Sequence, residues 1–171
     1  MRIFLLLLCL PYATAFAANR VIGDWVVSAD SGLYETYTGN ESGSTLGLLC
    51  TDTSCSFYLR AGITCESGAS YLALINSENG ASAQQLSCAP LTLNGRTEYV
   101  ILIGDIESFA TTVLSASTVG IAIPMASGQF KVSRFSLRGA SKALEAVVNL
   151  RKAGAASPPP TKKQGLRDTT L

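Results

Sequence analysis

Four cysteines, Cys50, Cys55, Cys65 and Cys88, follow a leader built for export, and together they constrain the fold more than any other feature of the chain. Met1-Arg2 precede the apolar run Ile3 to Leu10, and small residues then lead to Ala15-Phe16-Ala17. Residues 1–17 therefore read as a secretory signal peptide cleaved near Ala17-Ala18, since a membrane span needs about 20 apolar residues. Cys9 lies inside that leader, and the bulky Leu8 before it argues against a lipid anchor. The mature chain is expected in the periplasm or outside the cell, where an even set of cysteines forms disulfides. Three connectivities are open in principle. The favoured one joins Cys50 to Cys55 and Cys65 to Cys88, because Thr45–Cys50 and Cys55–Arg60 read as strands with Thr51 to Ser54 as the turn between them. Loop closure gives about 2 kcal/mol for the tight loop and about 3.5 kcal/mol for the longer one. Metal binding is disfavoured, since C-x4-C with wide spacings is not a zinc pattern. A redox pair would want C-x-x-C, which is missing.

The chain contains no histidine, and His is the usual general base near neutral pH and the commonest metal ligand. Ser-His-Asp and Cys-His catalysis are thereby excluded, and no G-x-S-x-G, S-x-x-K, Walker or G-x-G-x-x-G motif occurs. Carboxylate-only hydrolysis needs just two Asp or Glu. Asp105 with Glu107, or Asp30 with Glu35, are the candidates, but nothing in the local sequence desolvates them, and surface or capping roles are favoured. No catalytic residue, cofactor or metal site is predicted. The 13 basic residues nearly balance the 12 acidic ones, without the basic cluster of a nucleic-acid surface.

Short segments rich in Val, Ile, Leu, Tyr and Thr recur between Gly, Ser, Asn and Asp clusters, which predicts a mostly β domain over residues 18–154. An antiparallel sandwich or barrel-like arrangement is expected. Strands are read at Arg20–Val27, Leu33–Thr38, Thr45–Cys50, Cys55–Arg60, Ser70–Asn76, Gln84–Cys88, Thr97–Ile103 and Thr118–Pro124. Asn94-Gly95 is a hairpin signal. Two stretches carry helical period, near 105–115 and 140–152. In the first, Ile106, Phe109, Ala110, Val113 and Leu114 share a face and Asp105 caps it. In the second, Ala143, Leu144, Val147 and Val148 form the stripe, Arg151 and Lys152 favour the negative end, and Gly154 suits termination. Within the strand Gln129–Leu137, Phe130 and Val132 have one parity and Phe135 and Leu137 the other. A bulge near Ser133-Arg134 is expected to bring both pairs into the core. Residues 155–171, with Ser157-Pro158-Pro159-Pro160 followed by Lys162, Lys163 and Arg167, read as a disordered solvated tail.

Gly23-Asp24-Trp25-Val26-Val27, the helix-strand-strand order from Asp105, and Phe135-Ser136-Leu137-Arg138-Gly139-Ala140-Ser141-Lys142-Ala143-Leu144 resemble the invasion-associated locus B family of small exported bacterial proteins. The likeness covers the two ends of the domain. A cysteine expected soon after the tryptophan is replaced by Ser28 and Ala29, and the block from Cys50 to Cys88 departs from the family pattern. The resemblance implies a periplasmic or surface role in envelope or host interaction, and so in virulence, with no catalytic residues to carry over. Trp25 is read as a core residue and Gly139 as the turn into the last helix.

The function expected is that of a non-enzymatic binding protein whose partner is a protein or an envelope component. Its oligomeric state stays open. Arg134 and Arg138 are the candidates for contact with an anionic partner, although plain solvation is favoured for both. The alternative is a lysozyme-type enzyme inhibitor. Ser67-Gly68-Ala69-Ser70-Tyr71 resembles the Ser-Gly-x-x-Tyr loop that such inhibitors insert into a catalytic cleft, with Ser67 and Tyr71 as the contact residues; their companion Thr-Lys-Gly segment is missing.

Overall fold

The computed structural model describes residues 19–30, 32–93 and 96–155. The expected leader, the expected tail beyond Ala155 and the Asn94-Gly95 turn lie outside the described residues. The elements run β1 (Arg20–Ile22), β2 (Trp25–Asp30), β3 (Leu33–Gly39), β4 (Thr45–Cys50), β5 (Cys55–Arg60), β6 (Ser70–Ser77), β7 (Gly80–Leu93), β8 (Arg96–Ile103), α1 (Ile106–Ser115), β9 (Thr118–Pro124), β10 (Phe130–Ser136) and α2 (Ala140–Ala155). All ten strands form one antiparallel sheet in the order β1-β2-β3-β4-β5-β8-β7-β6-β9-β10.

Alternation along the strands gives that sheet one apolar face, and the sheet curls so that this face closes on itself. Trp25, Val27, Leu46, Leu48, Phe57, Leu59, Ile75, Leu86, Ile101, Ile121 and Phe135 are all buried in one core. The side chains fully withdrawn from water contribute about 1.5–3 kcal/mol each. Both helices plug the concave side. Phe109 and Val113 of α1 are buried in the core, with the Phe109 ring edge-on to Phe57 at 5.0 Å between centroids. From α2, Ala143 and Val147 are wholly buried against the same core.

Closure is made by turns meeting β10 rather than by a tenth ladder, so of the two predicted architectures the barrel-like one describes the chain. Asn40 Nδ2, between β3 and β4, donates to the carbonyl of Arg134 at 3.2 Å. Buried Ser133 and Ser44 hydroxyls meet at 3.3 Å. The β1–β2 turn reaches the end of β10, where Asp24 N donates to Arg138 O at 2.9 Å.

Three expectations are corrected. The strand read as Arg20–Val27 is two strands, because Gly23 turns at φ +63° and lets the backbone of Arg138 and Gly139 approach closely. No bulge interrupts β10, which pairs with β9 residue for residue from Phe130↔Pro124 to Ser136↔Thr118. Strict alternation then holds, with Phe135 and Leu137 buried and Phe130 and Val132 in water. Finally, Gly154 does not end the last helix, which runs to Ala155. Its hydrogen-for-methyl economy serves packing instead, since a Cβ there would overlap the Tyr34 hydroxyl at 1.6 Å.

The favoured cysteine connectivity is the one present. Cys50 and Cys55 face each other as the closing pair of the β4–β5 hairpin. Cys65 and Cys88 tie the segment before β6 to the middle of β7.

Candidate recognition surface

The unbulged path of β10 exposes apolar side chains that a buried solution would have hidden. Phe130 is 63% and Val132 45% exposed on the outer face of the sheet, and across β9 they align with Leu72 and Leu74 of β6, at 64% and 48%. Register makes two rows. Val132 pairs with Ala122, which pairs with Leu74. Phe130 pairs with Pro124, and Leu72 lies two residues beyond Leu74 on the same face. Clustered exposed apolar residues of this kind mark interaction sites more often than single ones do.

Arg134 stands at the end of this surface, exposed, its carbonyl held by Asn40. Lys131 is half-buried on the other parity of the strand. Arg138 is placed differently. Its Nε donates to Asp24 Oδ2 at 3.2 Å, and a second bond runs from its Nη2 to Asp24 Oδ1. The Ser136 hydroxyl donates to the same carboxylate at 2.6 Å. These bonds, Arg138's first among them, pull the Asp24 carboxyl from its ordinary 3.8 down to about 2. Arg138 thus latches the β1–β2 turn to the end of β10.

Because the folded pKa of Asp24 is depressed, its contribution is present above the ordinary carboxylate pKa and is lost as pH falls toward about 2. Asp24→Asn is therefore expected to be less stable than wild type at neutral pH and to lose less further stability between about pH 4 and pH 2. Urea midpoints across that window are the measurement. Parallel curves for both proteins would remove the latch.

The other predicted residues are separated by the fold. Ser67 is exposed at the turn, where Gly68 N donates to Cys88 O at 2.9 Å and Ala69 N to Glu66 O at 2.9 Å. Tyr71 is the second residue of β6 and packs against the core, so Ser67 to Tyr71 do not form one protruding loop. Among the carboxylates, Asp105 caps α1 by accepting from Ser108 N at 3.0 Å, with Glu107 exposed in the first turn. Glu35 accepts from the Tyr58 hydroxyl on the outer face, while Asp30 ends β2. Burial, reinforced by the Glu35 carboxylate, raises the Tyr58 phenol above its ordinary range and keeps it a hydrogen-bond donor. Tyr58 fits there because Gly47 opposite it has no side chain; a Cβ would lie 2.7 Å from the ring.

Among the described residues no three His, Cys, Asp or Glu are grouped to hold a metal ion. None of the described helices is long and apolar enough to cross a membrane.

Of the two arginines the sequence nominates, Arg134 lies beside the apolar rows and Arg138 is bonded to Asp24, while the rows themselves are not anticipated. The available signal was the parity conflict in Gln129–Leu137, whose solution is exposure of one pair.

No family model matches the sequence, and no curated protein does. Among solved structures the chain is similar to one described as the crystal structure of invasion associated protein b from Bartonella henselae, with a TM-score of 0.55. Identity is 13%, and the match covers 80% of this chain and 99% of that one. At such identity the likeness is one of fold. It accords with the resemblance carried by the two ends of the domain, which the structure brings together at Gly23-Asp24 and Arg138-Gly139.

Proposed function

We propose, with the shared fold as premise, that this chain is an exported, non-enzymatic recognition module of the bacterial periplasm or surface, acting on a protein of the envelope or host. The observation that carries this reading is the pair of exposed apolar rows on β6, β9 and β10. Two disulfides support placement in an oxidising compartment. Exposed Leu and Phe side chains lose little when solvated singly, whereas a contiguous set gains when a partner covers it.

The double variant Leu74→Ser/Val132→Ser tests it. Both side chains are exposed, so stability should change by no more than about 0.5 kcal/mol per site. Capture of envelope proteins by the oxidised variant should fall at least about tenfold relative to wild type, as expected when central interface residues are truncated. Equal capture by the two proteins would dissociate this surface from recognition.

A further inference from the structure

The hydrogen-bond phase of β10 determines which of its backbone groups are spent. At its two ends, Leu137 N donates to Ser117 O and Gln129 O accepts from Met125 N, both at 2.8 Å. Pairing alternates between those points, so residues 131, 133 and 135 bond β9. Phe130, Val132 and Arg134 point their N–H and C=O groups away from the sheet. The Asn40 side chain bonding to Arg134 O from that side agrees with this phase. β10 is the last strand of the sheet, and no described residue bonds the outward backbone groups of Phe130 or Val132. The same two residues carry the exposed apolar side chains. An unpaired edge and an apolar face therefore coincide.

Charge selects what fits there. The ion pairs among the described residues are Arg60 with Glu98 and Arg138 with Asp24, so Lys131 and Arg134 of β10 have no anionic partner among those residues. A lysine on an edge strand discourages pairing with a second copy, since the register that sets Phe130 beside Val132 of the copy also sets Lys131 against itself. A carboxylate across from Lys131 turns that obstacle into an attraction.

We propose that the outward edge of β10 is a strand-addition site for an extended segment of a partner protein, apolar at alternate positions and bearing a carboxylate opposite Lys131. Backbone bonds from Phe130 and Val132 hold the segment, its apolar residues lengthen the rows of Leu72 and Leu74, and its carboxylate fixes register. This deepens the recognition reading and rests on it.

The test is an NMR titration of the oxidised, 15N-labelled protein with the synthetic peptide acetyl-Thr-Ile-Glu-Ile-Thr-amide and its Lys-for-Glu counterpart. The Glu peptide should slow hydrogen exchange at the Phe130 and Val132 amides. Val132→Pro removes an N–H that β9 does not use, so it should leave the β9 pairing intact and abolish the effect. Lys131→Glu should weaken the Glu peptide by about two- to five-fold and favour the Lys peptide by a similar factor. This charge swap keeps the test decisive if the proline variant misfolds. Three results would overturn the proposal. Shifts at Leu72 and Leu74 without amide protection would leave face recognition standing and remove strand addition. Protection that grows with protein concentration in the absence of peptide would assign the edge to a second copy. No response to either peptide would dismiss the site.

Discussion

Gly139→Ala is expected to cost about 3 kcal/mol or more, a large fraction of the stability of a domain this size. Two independent penalties meet at this residue. Gly139 has φ +92°, a conformation that disfavours any side chain by about 1–3 kcal/mol. An added Cβ would also lie 2.3 Å from Ile22 O, and that neighbour is backbone paired within β1–β2, so it cannot rotate aside. Forcing such an overlap costs about 1–3 kcal/mol more. Gly23 is the mirror image, at φ +63° with Arg138 O 2.3 Å from its would-be Cβ, and Gly23→Ala should behave alike. Gly128 separates the two penalties. It has φ +80° but open space around it, so Gly128→Ala should pay the conformational cost alone. Urea unfolding of the three variants is the measurement, read as shifts in midpoint at constant slope. If Gly128→Ala loses as much as Gly139→Ala, the two-glycine contact contributes nothing.

That contact also explains the motifs by which the two ends of the chain resemble an exported family. Gly23 and Gly139 let two backbones touch, Asp24 receives Arg138 and Ser136, and Trp25 is wholly buried just inside. Read singly from sequence, Trp25 looked like core and Gly139 like a turn, and both readings hold. What a sequence does not show is that the two turns are each other's partners, because nothing local in either segment encodes a neighbour more than a hundred residues away.

Where local pattern decides, the reading succeeded. Thr45–Cys50, Cys55–Arg60 and Thr118–Pro124 have the bounds their composition indicated. Asp105 caps α1 as its position foretold. Where two requirements compete, local pattern failed. Gly154 has the chemistry of a helix end, yet it lies inside α2, at a point where a Cβ would overlap the Tyr34 hydroxyl. In β6 the unbroken run Tyr71 to Ile75 names no outward face, so Leu72 and Leu74 were not recognisable as surface. The parity conflict of β10 is visible in the sequence, and burying all four apolar residues is the solution that composition favours. The sheet instead keeps its register and leaves Phe130 and Val132 uncovered. The candidate site is thus a place where the rule of apolar burial is broken by neighbouring residues on adjacent strands.

Removing the second disulfide is the other large perturbation. Cys65→Ala/Cys88→Ala is expected to lose about 3–4 kcal/mol, the closure entropy of a loop spanning 23 residues in sequence. Both cysteines are buried, so truncation also sacrifices packing. The segment between β5 and β6 has no ladder of its own and depends on this link together with bonds such as Cys88 N to Ala69 O at 2.8 Å. Its amides should exchange faster in the variant than those of β4 and β5. Cys50→Ala/Cys55→Ala makes the contrast. That bridge joins residues already paired across the β4–β5 hairpin, with Cα atoms 4.0 Å apart, so the ladder holds the short loop even without sulfur. Loop closure there contributes only about 2 kcal/mol, and with the packing of the wholly buried Cys50 added its loss should still cost less than that of the second bridge. Thermal and urea unfolding of the two double variants beside the oxidised wild type would rank them. The reverse order would place the constraint in the hairpin neck, and no loss in either would detach the fold from oxidation and with it the main support for export.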